Sequence, residues 1–240
     1  MNGSGPRAAM VFAAGFGTRM GALTAEIPKP LLSIGAETLL DHTLDQVAAA
    51  GLSDAVVNLH YLGDQIRDHL VGRTTPCILF SEEEPDILDT GGGIVHALGH
   101  LGTNPFATIN ADTVFLGRNP LSVLLQAWSS EDTDALLLLV PVSQTLGYTR
   151  SGDFYVDHAT DRPRRRGSAA SAPFVYAGAQ IIRPQAFVDA PPGAFSLNVI
   201  WNQLMATDRL RAVIYPDRWV DVGTPEGLEL ARRSLGAAQP

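Results

Sequence analysis

The chain has 240 residues, 45% of them hydrophobic and 18% charged, with a formal net charge of -8. That composition supplies a sizeable core and excludes a disordered chain, and the acidic balance argues against a nucleic-acid binder or a protein drawn to anionic membranes. The one cysteine, Cys77, excludes an internal disulfide and fits a reducing cytoplasm, and no apolar run approaches the ~20 residues of a membrane-spanning helix.

Residues 8–14 read as a first strand, too short for the core of a secretion signal. A helix is predicted over 38–50, with Leu39, Leu40, Leu44 and Val47 on one stripe and Gly51 as its stop. A strand over 55–59, a helix near 62–71 and a short strand over 77–80 follow. A helix entered from glycines starts at Thr90 and continues through Ile94, Val95 and Leu98. Then come a strand over 106–110, a helix over 121–128 and a buried strand over 135–142. Alternation of this kind predicts an α/β protein with a doubly wound, mostly parallel sheet. The second half is less regular. Strands over 153–156 and 174–182 have no helix between them, and they flank a polar, basic connection over 161–171. An antiparallel excursion beside the main sheet is expected there. A helix over 196–206, a strand over 211–215 and a helix over 225–235 complete the chain.

The most informative string is Ala13-Ala14-Gly15-Phe16-Gly17-Thr18-Arg19, directly after the first strand. Glycines let the backbone approach a ligand, successive N–H groups can form an anion nest, and Arg19 offers a fork suited to phosphate. An ordinary strand-to-helix turn is the plain alternative. A dinucleotide fingerprint fails because Met20 stands at the third glycine position, and no Gly-Lys-Ser or Gly-Lys-Thr exists for a P-loop. Nine residues further on, Pro28-Lys29-Pro30 presents a lysine on a stiff loop. Lys29 is the only lysine beside 16 arginines.

The whole string, G-x-G-T-R followed by P-K-P, resembles the signature of the sugar-1-phosphate nucleotidylyltransferase superfamily. Further landmarks fall in the family's order. Asn110-Ala111-Asp112 ends a strand, and Trp219-Val220-Asp221-Val222-Gly223-Thr224-Pro225 resembles the family's second acidic segment. Thr224 and Pro225 also read simply as a helix start. Leu88-Asp89-Thr90-Gly91-Gly92-Gly93, together with Asn58-Leu59-His60-Tyr61, most resembles the bacterial N-acetylmuramate-1-phosphate uridylyltransferases of cell-wall recycling.

The resemblance implies a Rossmann-like fold with a small antiparallel β lobe, formed as one domain. Residues 1–142 would mainly bind nucleotide and 143–240 mainly sugar phosphate. It implies transfer of a nucleotidyl group from a nucleoside triphosphate, UTP favoured, to a sugar 1-phosphate with loss of pyrophosphate. Arg19 and Lys29 take the catalytic roles. Ala13, Ala14, Gly15, Gly17, Thr18, Arg19, Asn58, Gly91, Gly92 and Asn110 are the nucleotide contacts. By the same resemblance Asp112 and Asp221 would hold Mg2+, while Glu82, Tyr176, Gly178, Asn198 and Trp201 would face the sugar phosphate. Core packing explains Tyr176 and Trp201 equally well, and a solvated acidic turn is the plain reading of Glu82 to Glu84. The arginines 162, 164, 165 and 166 read as a solvated loop. A guanylyltransferase for mannose 1-phosphate, a cytidylyltransferase for phosphocholine and a non-catalytic nucleotide or sugar sensor remain as alternatives. A monomer or homodimer is expected, with no nucleic-acid or membrane partner.

Overall fold

The computed structural model describes residues 5–129 and 131–236. Strand β1 (Ala8–Phe12) sends Ala9 and Val11 to one face of the central sheet and Ala8 and Met10 to the other. The chain leaves it irregularly, because Gly15 and Gly17 interrupt the apolar run. Helix α1 (Leu39–Ala49) opens on a capping box: the Asp41 amide donates to the Thr38 hydroxyl, and the Thr38 amide donates back to the Asp41 carboxylate. It buries Leu40, Leu44 and Val47 on the face that β1 lines with Ala9 and Val11.

Strand β2 (Asp54–Leu59), helix α2 (Gly63–His69), strand β3 (Cys77–Glu82), helix α3 (Asp89–Leu101) and strand β4 (Phe106–Asn110) continue the alternation. Among the elements not expected are β5 (Thr113–Leu116) and, after α4 (Pro120–Ala127) and β6 (Ala135–Pro141), the two-residue β7 (Thr145–Leu146). Beyond them lie β8 (Phe154–Asp157), β9 (Arg162–Arg165), β10 (Phe174–Ile182), α5 (Asn198–Ala206), β11 (Leu210–Ile214), β12 (Arg218–Asp221) and α6 (Pro225–Gly236).

The main sheet is 9-stranded, and its central path runs β11-β6-β10-β4-β1-β2-β3. Neighbours along this path are parallel except for β10, which is antiparallel to both β4 and β6. The expectation of an excursion beside the sheet therefore needs correction. Strand β10 sits inside the sheet, because its stretch from Ala177 to Ile182, apolar but for Gln180, is buried and finds a ladder on each edge. Only the β8–β9 hairpin projects from it. A separate small sheet, β5-β12-β7, is antiparallel between β5 and β12. Its apolar face, with Val114 and Val220, packs with Met20, Leu32 and Leu228 of α6.

Helices α1, α2 and α4 cover one face of the main sheet, and α3 and α5 cover the other. The chain runs outward from β1 to β2 and β3, then returns to place β4 on the other side of β1. That reversal opens a crevice at the carboxyl ends of β1 and β4, where an open α/β sheet offers its ligand site. No helix among the described residues is long and apolar enough to cross a membrane.

Candidate active site

Three adjoining cavities open at this crevice, and all three are lined by Phe12 and Asp112. The first, about 260 Å³, is bounded by Gly15, Gly17, Thr18, Arg19 and Lys29, with Ala13 beneath. Gly17 has φ +63, a left-handed conformation that favours glycine, and a Cβ there would lie 3.1 Å from the Cβ of Lys29. Its carbonyl accepts from the Met20 amide at 2.8 Å and the Thr24 hydroxyl at 3.0 Å. The loop is thus closed by its own hydrogen bonds before any ligand arrives. Lys29 occupies a 3-10 turn with Pro28 before it and Pro30 after it, and it is buried. Its ammonium donates to Asp112 Oδ2 at 2.6 Å.

Asp112 follows β4 by two residues, and the small sheet brings Asp221 to it. The β5–β12 register pairs Asp221 with Thr113, the residue next to Asp112. Burial raises the Asp221 carboxyl above its ordinary value, and the Asp112 charge raises it further; Arg150, Arg19 and Lys29 act in the opposite sense. Arg150 Nη2 stands 3.7 Å from Asp221 Oδ2. At Gly223 an added Cβ would lie 2.8 Å from Arg19 Nη1 and 3.0 Å from Asp221 Oδ1, so only glycine leaves Arg19 this position. Two like charges held together beneath arginines suit a divalent cation bound by oxygen. Among the described residues no third acidic, histidine or cysteine ligand joins them. One or two carboxylates, completed by water and phosphate, are the usual protein share of a Mg2+ site.

The second cavity, about 220 Å³, lies on the other side of Gly15 and is lined by Ala14, Asn58, Glu83, Asp89, Thr90 and Asn110. Asn58 is buried and anchored: its Oδ1 accepts from the Ala13 amide at 2.7 Å, and its Nδ2 donates to Glu83 Oε1 at 2.7 Å. Glu83 also accepts from the Leu88 amide at 2.8 Å. Its neighbour Glu82 points the other way, is exposed, and pairs with Arg67. Glu82 is therefore not a cavity residue, a correction that follows from strand pleat: alternate residues take opposite faces, and Ser81 and Glu83 share the buried one.

Gly91 and Gly92 also need correction. They form the first turn of α3, where a helix was expected, they are buried, and neither lines any of these three cavities. Their amides donate to the Phe195 carbonyl at 2.8 and 3.2 Å. A Cβ on Gly91 would overlap the Phe195 ring, and one on Gly92 the Gly193 carbonyl. Asp89 and Thr90, one turn edge away, face the cavity instead.

The third cavity is the largest, about 460 Å³, and reaches from Asp221 and Arg19 to Tyr176, Gly178, Asn198 and Trp201. Gly178 has φ +82 where the β10–β6 register shifts, and a Cβ there would press on the Asn110 side chain at 3.0 Å. Burial pushes the Tyr176 hydroxyl well above the usual tyrosine range. The Trp201 indole N–H is already committed, donating to Gln180 Oε1 at 2.8 Å. Trp201 thus offers the cavity its ring and not its donor. Sequence reasoning missed Arg150, Asp153 and Arg165 in this cavity. Arg162 to Arg165 are not a loop: they form β9, and the Arg165 guanidinium lies over the rings of Phe154 and Trp201.

The model of the MobA-like NTP transferase domain matches residues 9–152. The chain belongs to that family. The transferase match ends just short of the β8–β9 hairpin, but similarity continues beyond it. The N-acetylmuramate alpha-1-phosphate uridylyltransferase of Caulobacter vibrioides is 37% identical over 97% of this chain and 98% of its own length. That of Neisseria meningitidis serogroup B is 32% identical over 95% and 98%. A UDP-glucose pyrophosphorylase solved with UDP-glucose superposes with a TM-score of 0.80, covering 98% of this chain and 100% of its own at 16% identity, and so supports the transferase fold alone.

Proposed function

We propose that the protein transfers a uridylyl group from UTP to N-acetylmuramate 1-phosphate and releases pyrophosphate. The observation that carries this reading is the convergence of three cavities on Asp112, with Lys29 at 2.6 Å from its carboxylate. A nucleotide needs one cavity for base and ribose and one for its trailing phosphates; the acceptor needs the third. The choice of base and sugar follows the relatives that are similar along their whole length.

A phosphate oxygen of the sugar attacks the α-phosphorus, and the bond from that phosphorus to the departing β-phosphate oxygen breaks. This chemistry asks for positioning and charge neutralisation rather than a nucleophilic side chain. The Gly15–Arg19 segment would hold the outer phosphates through backbone N–H groups and the Arg19 guanidinium. Lys29, a compact cation in a buried setting, would neutralise charge where the two phosphates meet. Asp112 and Asp221 would hold a divalent cation, Mg2+ by preference. When bound, such a cation supplies Lewis-acid polarisation of the α-phosphate and charge stabilisation of pyrophosphate.

Pyrophosphate release, measured with UTP, GTP, CTP, ATP and dTTP against N-acetylmuramate, mannose and glucose 1-phosphates and phosphocholine, tests the reading. Turnover is expected with UTP and the muramate phosphate, and Lys29→Ala is expected to lower it ~10²–10³-fold. Preferred turnover with GTP and mannose 1-phosphate would replace the substrate assignment, and binding without turnover would favour a sensor.

A further inference from the structure

We propose that Arg165 selects an acceptor bearing a carboxylate in addition to its phosphate, and that it pairs with the lactyl carboxylate of N-acetylmuramate 1-phosphate. This rests on the acceptor reading given above and names the residue that distinguishes that acceptor from a sugar phosphate without a carboxylate.

The first support is how Arg165 is held. Its partner in the β8–β9 ladder is Phe154. Its guanidinium lies 4.8 Å from the Phe154 ring centroid and 5.4 Å from that of Trp201. Two rings fix the plane of the fork, so less side-chain freedom is lost when an anion binds.

The second support is what it lacks. Arg165 Nη2 is buried and has no hydrogen-bond partner. Burial pulls the Arg165 pKa down, yet arginine stays protonated and cannot shed its donors. A buried cationic donor left unpaired is costly, and a carboxylate presents two oxygens in the matching geometry. The neighbouring carboxylate, Asp153, uses Oδ2 to accept from the Tyr176 amide at 3.1 Å. Among the described residues Arg165 forms no ion pair.

The third support is location. In the lining of the largest cavity, Arg150 stands 3.7 Å from Asp221, and Asp112 takes Lys29 at 2.6 Å, whereas Arg165 lies on β9 opposite Phe154, the residue next to Asp153. The largest cavity therefore carries two charge clusters, one at the carboxylate pair and one at Arg165. The first is where the reacting phosphates belong, which leaves Arg165 for a second anionic group on the same acceptor. N-acetylmuramate differs from N-acetylglucosamine only by a lactyl ether ending in such a group.

The test is kcat/KM with UTP for N-acetylmuramate 1-phosphate and for N-acetylglucosamine 1-phosphate. The proteins are wild type, Arg165→Met, Arg165→Lys and Arg164→Met. Arg164 is a control, since it is exposed and lies over Tyr155 instead. Arg165→Met is expected to lower kcat/KM for the muramate phosphate ~30–100-fold and to leave the glucosamine phosphate within about twofold. The KM for UTP stays unchanged. Arg165→Lys, which keeps the charge and loses the fork, recovers part of the selectivity and decides the matter if Arg165→Met does not fold. Equal losses with both acceptors would mean a structural or phosphate-binding role and overturn the assignment. A wild-type enzyme that prefers the muramate phosphate, with selectivity intact in both Arg165 variants, overturns this assignment alone. A wild-type preference for the glucosamine phosphate overturns the acceptor reading together with it.

Discussion

Two glycine-rich stretches, Gly15 with Gly17 and Gly91 to Gly93, look alike in composition and are used in opposite ways. Gly15 is exposed, lines two cavities, and a Cβ on it would meet nothing within 4 Å. Gly91 to Gly93 are buried, and their Cβ positions are already filled by Phe195, the Gly193 carbonyl and Glu83 Oε1. The first stretch keeps space free for a ligand. The second lets the start of α3 approach the segment before α5 so closely that Phe195 can cap its first amides. A helix start without a side-chain cap is thereby satisfied from the irregular segment that leads into α5. Glycine enrichment signals a close approach, but not whether a ligand or the protein itself makes it.

The sharpest way to break this contrast is Gly91→Ala. The added methyl must displace the Phe195 ring and its carbonyl, so a loss of ~1–3 kcal/mol is expected, at ~2–4 °C of melting temperature per kcal/mol. Thermal unfolding measures it. Adding Phe195→Leu relieves only part of the loss, because the carbonyl remains 2.8 Å from the new Cβ. An unchanged melting temperature in Gly91→Ala would remove the packing explanation.

Gly15→Ala probes the other side. No steric conflict within the protein is expected, and stability should stay within ~0.5 kcal/mol of wild type. The methyl enters ligand space, so kcat/KM for UTP should fall ~10-fold, equivalent to about 1.4 kcal/mol. Initial rates over a UTP series, alongside a melt, separate the two quantities. A large drop in melting temperature with normal kinetics would make the two stretches equivalent and end the comparison.

The same distinction explains what was legible in the sequence. Strand β1, helix α1 and strand β4 carry clean apolar periods, and the Gly15–Arg19 and Lys29 segments carry local signatures that need no tertiary information. The β3 strand was read as ending at Phe80, so the pleat that turns Ser81 and Glu83 inward and Glu82 outward was lost with its last two residues. Arginine hides periodicity further. In β9, Pro163 is buried and Arg165 half-buried while Arg162 and Arg164 are exposed, an alternation that a run of charges conceals because arginine buries its stem while keeping its charge. Asp112 and Asp221 are joined only through the β5–β12 register, and β5 is too short to announce itself.

The smallest expected effect runs toward greater stability and concerns the charge that ligand binding must balance. The Asp221 carboxyl is raised by burial and by Asp112. For an acid with a raised folded-state pKa, the native protein holds the proton more tightly than the unfolded chain. Its contribution to stability is complete below the unfolded value and is lost as pH rises through the folded one. In chelator at neutral pH, ionised Asp221 therefore weakens the fold, with Arg150, Arg19 and Lys29 offsetting part of the cost. Asp221→Asn should raise the neutral-pH melting temperature by less than ~1 kcal/mol in equivalent stability while depressing turnover, the usual exchange at a site built for function. The gap between variant and wild type should close as pH falls through the range where Asp221 takes up its proton. A gap that widens in acid would mean that the arginines outweigh Asp112, and that the carboxylate pair is already balanced before any cation or phosphate arrives.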